Sequence, residues 1–125
     1  MGSVTTYKDL TLWQKAMELV KEVYLLAKKL PKEETYALSD QMRRAAISIP
    51  SNIAEGNGRK SKTEYVRFLD IARGSLYELE TQILIGTMLG FFNENETTSI
   101  FVLITEINKM LNSLITKLGK WTNWN

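Results

Sequence analysis

Seven residues near the middle of the chain, Gly56-Asn57-Gly58-Arg59-Lys60-Ser61-Lys62, gather three cations around two glycines just ahead of a helix start. Glycines admit tight backbone angles, amides at a helix start carry partial positive charge, and Arg and Lys add full charges. Together these suit a phosphate group. The spacing is not that of a nucleotide-binding P-loop, because the run from a first glycine to Gly-Lys-Ser/Thr is absent. A plain capped turn between helices has the same composition, so a phosphate site and a structural turn both remain open. Phosphate contacts give affinity with little sequence selectivity. On the first reading Arg59, Lys60, Lys62 and Arg67 contact nucleic acid, with Arg43 and Arg44 as further contributors.

Catalytic chemistry finds little to work with. The chain has no His and no Cys, which excludes a Ser-His-Asp triad, a Cys nucleophile and every zinc site built on imidazole or thiolate. Bundle di-iron centres need Glu-x-x-His pairs and are excluded too. Glu78 and Glu80 stand two apart and do not share a helical face. Ser48 and Ser75 have no recognisable base beside them. The expectation is a protein that is no enzyme, with no catalytic residue, no metal and no cofactor.

Net charge is only +2, yet the charges are unevenly spread. From Arg73 to Lys109 no Lys or Arg intervenes, while Glu78, Glu80, Glu94, Glu96 and Glu106 all fall there. Folding an even number of antiparallel helices sends that stretch to one end. Lys8, Lys15, Arg59, Lys60, Lys62, Arg67, Lys109, Lys117 and Lys120 are then expected at the other, against Asp9, Glu18, Glu55 and Glu64. Such a basic pole suits a polyanion. No apolar run approaches the ~20 residues of a membrane span, no signal peptide precedes the first helix, and cysteine is absent. The expected location is the cytoplasm.

The elements that must position these residues are four helices in a single domain spanning 1–125. Leu12, Ala16, Leu19, Val23, Leu26 and Leu30 alternate steps of four and three, with Thr11 and Gln14 as a capping box and Pro31 as a stop. Met42, Ala45, Ala46, Ile49 and Ile53 mark a second stripe, which carries Pro50 inside it and Gly56 as a left-handed cap. Ser61 and Glu64 open a third, along Tyr65, Leu69, Ala72, Leu76, Leu79, Ile83 and Gly86, with Gly90 ending it and Phe91 or Phe92 folding back. The fourth follows Asn93 or Asn95 through Ile100, Ile104, Ile107, Leu111, Leu114 and Leu118, with Gly119 closing it. The spans read as about 12–30, 37–55, 62–89 and 96–118, followed by a tail over 119–125. Four-three spacing and short connections predict an all-α, antiparallel up-down-up-down four-helix bundle.

A second apolar edge accompanies some stripes: Trp13, Val20, Tyr24 and Ala27 on the first helix, Phe101 and Ile115 on the fourth. A wide core-facing stripe and a subunit interface both account for it. Folding the second and third helices back around residue 59 sets Ala45 and Ala46 against Ala72–Ser75, with Arg44 near Gly74 and Glu78. That placement predicts a close seam and an Arg44–Glu78 pair. Beyond the last helix, Trp121 and Trp124 are expected to pack rather than to stack on bases.

The stretch Gln41-Met42-Arg43-Arg44-Ala45-Ala46-Ile47-Ser48-Ile49-Pro50-Ser51-Asn52-Ile53-Ala54-Glu55-Gly56-Asn57-Gly58-Arg59 resembles the signature of the small four-helix proteins encoded within intervening sequences of bacterial 23S ribosomal RNA genes. The resemblance extends to Leu10–Ala16, Arg67–Leu69, Ala72–Leu76, Glu78–Thr81 and Leu89–Phe91, covering about residues 7 to 118 and leaving the tryptophan tail outside. It implies a bundle that assembles into a ring-like homopentamer. One relative, the accessory variability determinant of diversity-generating retroelements, binds nucleic acid and a reverse transcriptase through a basic pentameric surface. Under this resemblance Arg43, Arg44, Asn52, Glu55 and Gly56 hold helices and subunits together, and Gly74 and Glu78 complete the motif. The functional expectation is a non-enzymatic homo-oligomer that binds RNA or DNA through its basic end. The alternative is a symmetric scaffold that holds a protein partner and has no nucleic-acid affinity.

Overall fold

The computed structural model describes residues 6–122, with side chains through Gly119. Among these residues it forms four α-helices and two short 3-10 turns, and no strand. The helices are α1 (Thr11–Ala27), α2 (Leu38–Asn57), α3 (Lys62–Met88) and α4 (Glu94–Thr122). Each packs on its successor, α4 closes against α1, and among the described residues no Cα of a helix comes within 8 Å of its diagonal partner's. This is the antiparallel bundle that the stripes predict.

The stripes are the core. Leu19, Val23, Met42, Ile49, Ile53, Leu69, Leu76, Leu79, Ile83, Ile107 and Leu111 are fully enclosed. Leu30, Tyr65, Leu114 and Leu118 pack at its edges, as do Trp13, Val20, Phe101 and Ile115 from the second apolar edges.

Several boundaries depart from expectation, each for a local reason. The capping box ahead of α1 belongs to Thr6 and Asp9, which cap the 3-10 turn Tyr7–Asp9; Thr11 caps nothing, and Leu10 precedes the helix without a side-chain bond. Gln14 instead donates to the Lys8 carbonyl at 2.9 Å. α1 stops at Ala27 because Leu30 stands before Pro31, and the residue before proline is pushed out of the helical region. α2 runs past Gly56 to Asn57, and Gly56 is not left-handed. α4 likewise runs through Gly119 to Thr122, since a lone glycine weakens a helix by about 1 kcal/mol without ending it. The packing expected of Trp121 and Trp124 falls outside the described side chains.

The turn from α3 to α4 follows the sequence closely. Gly90 has φ +83°, its amide donates to the Thr87 carbonyl at 3.0 Å, and the Phe91 amide donates to the Gly86 carbonyl at 2.9 Å. Phe92 folds back onto Gly86, where a Cβ would meet the ring. Asn93 and Glu96 then form a reciprocal capping box: the Glu96 amide donates to Asn93 Oδ1 at 3.0 Å and the Asn93 amide to Glu96 Oε1 at 2.9 Å. The Asn93 amide first, and Lys29 Nζ at 3.2 Å next, hold the Glu96 carboxyl below the ordinary glutamate range.

Candidate nucleic-acid interface

The antiparallel order brings the start of α1, the end of α2, the start of α3 and the end of α4 to one pole. Gly56 determines how tightly α2 meets α3 there. A Cβ on it would stand 2.8 Å from Phe68 Cβ and 3.2 Å from the Tyr65 carbonyl oxygen, so only glycine admits this approach. Asn57 Nδ2 donates to the Tyr65 hydroxyl at 3.1 Å, and Ser61 Oγ accepts the Glu64 amide at 3.1 Å to cap α3.

The turn itself differs from the cradle of free amides that its glycines suggested. The Gly58 amide donates to the Ala54 carbonyl at 3.3 Å and the Arg59 amide to the Gly56 carbonyl at 3.0 Å, which completes α2. Neither Gly56 nor Gly58 takes a positive φ. Side chains rather than backbone therefore carry the positive charge here. Arg59 Nη2 lies 2.8 Å from Glu55 Oε2, and Arg67 Nη1 lies 3.3 Å from Glu64 Oε2. The guanidinium carbons of both also stand over the Phe68 ring, at 4.8 and 5.6 Å from its centroid. Lys60, Lys62 and Lys117 are exposed around them.

The pole is smaller than its sequence list. Lys15 reaches Glu106 at 3.4 Å near the middle of α4. Tyr77 bonds Asn108 at 3.1 Å, which sets Lys109 at the mid-height of α3. Lys120 lies in α4 beyond the described side chains. What gathers is Lys8, Arg59, Lys60, Lys62, Arg67 and Lys117, against Asp9, Glu55 and Glu64. The opposite pole is mixed rather than acidic, because the α1–α2 connection returns Lys28, Lys29 and Lys32 to it, and Lys29 pairs with Glu96.

Arg43 and Arg44 are not brought to this pole. They sit about 20 Å back along α2 at 1.5 Å per residue. Arg43 donates to the Ser39 carbonyl at 3.2 Å and lies 5.8 Å from the Tyr24 ring centroid. Both arginines stand 4.0 Å from Asp40. The expected Arg44–Glu78 pair is not formed: Arg44 is 79% exposed and turned to Asp40, although it shares a groove wall with Glu78. Gly74 is exposed, and a Cβ on it would have nothing within 4 Å. It follows Ala72 by two residues, about 200° around the helix, and so leaves the seam.

The seam itself is close, as its alanines imply, and it holds a polar bridge that sequence reasoning missed. Ser48 Oγ and Ser75 Oγ are 2.8 Å apart, and Asn52 Nδ2 donates to the Ser48 carbonyl at 2.8 Å and to Ser48 Oγ at 3.0 Å. The signal was available, since Ser48 and Ser75 each extend a row of small residues on its own helix. Neither hydroxyl meets a base. Among the described residues no group of three or more acidic side chains is placed to hold a metal.

Two apolar grooves flank the bundle. One, of about 680 Å³ between α3 and α4, is lined by Leu84, Phe101 and Val102 with threonines and Glu94 at its rim. The other, of about 340 Å³ between α1 and α2, is lined by Trp13, Met17, Ile47 and the buried Pro50. Leu84 and Val102, on adjoining helices, are 53% and 55% exposed along this groove. No helix among the described residues is long and apolar enough to cross a membrane.

An all-α bundle with a basic turn between α2 and α3 is the class of protein these features define. The chain belongs to the 23S rRNA-intervening sequence protein family, whose family model matches residues 8–113. It is also similar to a crystal structure of a protein with unknown function from the S23 ribosomal protein family of Bacteroides thetaiotaomicron. That similarity runs to 28% identity and a TM-score of 0.78, over 84% of this chain and 98% of that one. Comparison with curated proteins finds no match.

Proposed function

We propose that the protein is a non-enzymatic, oligomeric bundle of the bacterial cytoplasm that binds RNA or DNA through the pole around the α2–α3 turn. The observation that carries this reading is the gathering of Lys8, Arg59, Lys60, Lys62, Arg67 and Lys117 at one end against three carboxylates. A family named for a ribosomal RNA intervening sequence is in keeping with a nucleic-acid partner. A polymer reaching Arg43 and Arg44 as well must track along α2. Anisotropy titration against structured RNA and duplex DNA at low salt tests the reading. Replacing Lys60 and Lys62 by alanine is expected to flatten the log–log salt slope by about 0.7–0.9 per lost contact. No binding to either polymer at about 50 mM salt, a condition chosen to favour ionic contacts, refutes it.

The flanking grooves favour assembly. Apolar patches on two different faces suit a head-to-tail contact between copies, and such a contact closes into a ring when its rotation permits. This agrees with the homopentamer implied by the resemblance. If the oligomer forms without nucleic-acid affinity, the scaffold reading with a protein partner takes over. Light scattering tests the assembly; a monomer removes the scaffold reading and the oligomeric part of the first.

A further inference from the structure

The guanidiniums of Arg59 and Arg67 are each engaged by a carboxylate at one nitrogen and lie beside the Phe68 ring, yet both side chains stay partly exposed. Arg59 Nη2 is bound to Glu55 at 2.8 Å and Arg67 Nη1 to Glu64 at 3.3 Å, while the side chains remain 43% and 65% exposed. Phosphate recognition by arginine takes the edge, through parallel N–H donors. Here a carboxylate already occupies part of that edge and offsets the charge. Stacking takes the face and needs no free N–H. The Phe68 ring, 4.8 Å from the Arg59 carbon and 5.6 Å from that of Arg67, steadies both groups from one side. The planar groups are therefore held in place before any ligand arrives, which reduces the ordering cost of binding.

We infer that Arg59, Phe68 and Arg67 form a stacking platform for unpaired bases, so that this pole prefers single-stranded nucleic acid or loops over continuous duplex. The inference rests on the nucleic-acid reading above and divides the labour within it. Lys60 and Lys62 meet phosphates as point charges, and Arg59 and Arg67 meet base faces. In a duplex those faces are covered by neighbouring bases, so the platform finds nothing to stack on.

The test uses the full chain with a labelled RNA of about 20 nucleotides and mixed sequence, alone and annealed to its complement, at about 50 mM salt. Arg59→Lys keeps the charge and removes the plane. It is expected to weaken single-strand binding about tenfold, to leave duplex binding unchanged and to preserve the salt slope. Arg67→Lys is expected to act in the same direction. Lys60→Ala with Lys62→Ala is expected to weaken both ligands alike. A 2-aminopurine in the strand is expected to lose fluorescence on binding the parent chain and to keep it with Arg59→Lys. Equal affinity for single strand and duplex, or binding indifferent to both arginine variants, overturns the platform and leaves the nucleic-acid reading standing. No binding to either form overturns both.

Discussion

Ser48 Oγ and Ser75 Oγ meet at 2.8 Å across the α2–α3 seam, and Asn52 completes the bridge from one turn further along α2. Alanine at Ser48 removes the hydroxyl that both partners use, leaving the half-buried Ser75 without it and Asn52 with only its bond to the Ser48 carbonyl. A loss of about 1–3 kcal/mol is expected, read as a lower midpoint in urea with an unchanged slope. Alanine at Ser75 leaves the Asn52 bond intact and should cost less.

Two glycines on adjoining helices are expected to respond in opposite directions. Gly56→Ala forces a methyl to within 2.8 Å of Phe68 Cβ and 3.2 Å of a backbone oxygen. About 1–3 kcal/mol of overpacking then outweighs the gain in helix propensity. Gly74→Ala meets nothing within 4 Å and should stabilise by about 0.5–1 kcal/mol. Thermal melts of the two variants decide the matter; a shift of the same sign in both contradicts it.

Ala46 is fully enclosed in the same seam. Ala46→Leu is expected to cost about 1–3 kcal/mol, and an unchanged melting temperature would contradict the close approach of the helices.

Acid should act on the start of α4. The Glu96 carboxyl is held low by the Asn93 amide and then by Lys29. A carboxyl whose folded-state value is depressed contributes stability above its unfolded value and loses it as pH falls through the depressed one. Stability should therefore decline on acidification through the carboxylate range, and Glu96→Gln should flatten that decline. Urea midpoints at a series of pH values check this.

A charge placed in the α3–α4 groove should disturb assembly without disturbing the fold. Val102→Glu exchanges a side chain already 55% exposed. The expected result is a lower mass by light scattering with the melting profile of the separated chain retained.

The bundle was legible because its core obeys one period: every residue of the α2 stripe from Met42 to Ile53 is buried, and so are those from Leu69 to Gly86 along the α3 stripe. The boundaries were less legible. Gly56 and Gly119 have the composition of caps, but a glycine stops a helix only when the chain turns left-handed there, as at Gly90. Thr11 and Gln14 have the spacing of a capping box, yet the turn before them takes that role through Thr6 and Asp9. At the basic pole, position along the chain puts Lys60 and Lys62 at the α2–α3 turn, where they are exposed. It did not disclose that Glu55 and Glu64, four and three residues upstream, engage Arg59 and Arg67. That spacing can be read from sequence, and it is where the free charge was overstated.

Both interhelical ion pairs among the described residues, Lys15–Glu106 and Lys29–Glu96, span α1 and α4 or the segment that leaves α1. These are the neighbours that no loop joins, since the chain itself ties every other adjacent pair together. Electrostatic latches thus stand where connectivity provides no stitch, and added electrolyte should trim at most about 0–1 kcal/mol from each while the shared apolar core keeps the first and last rods together.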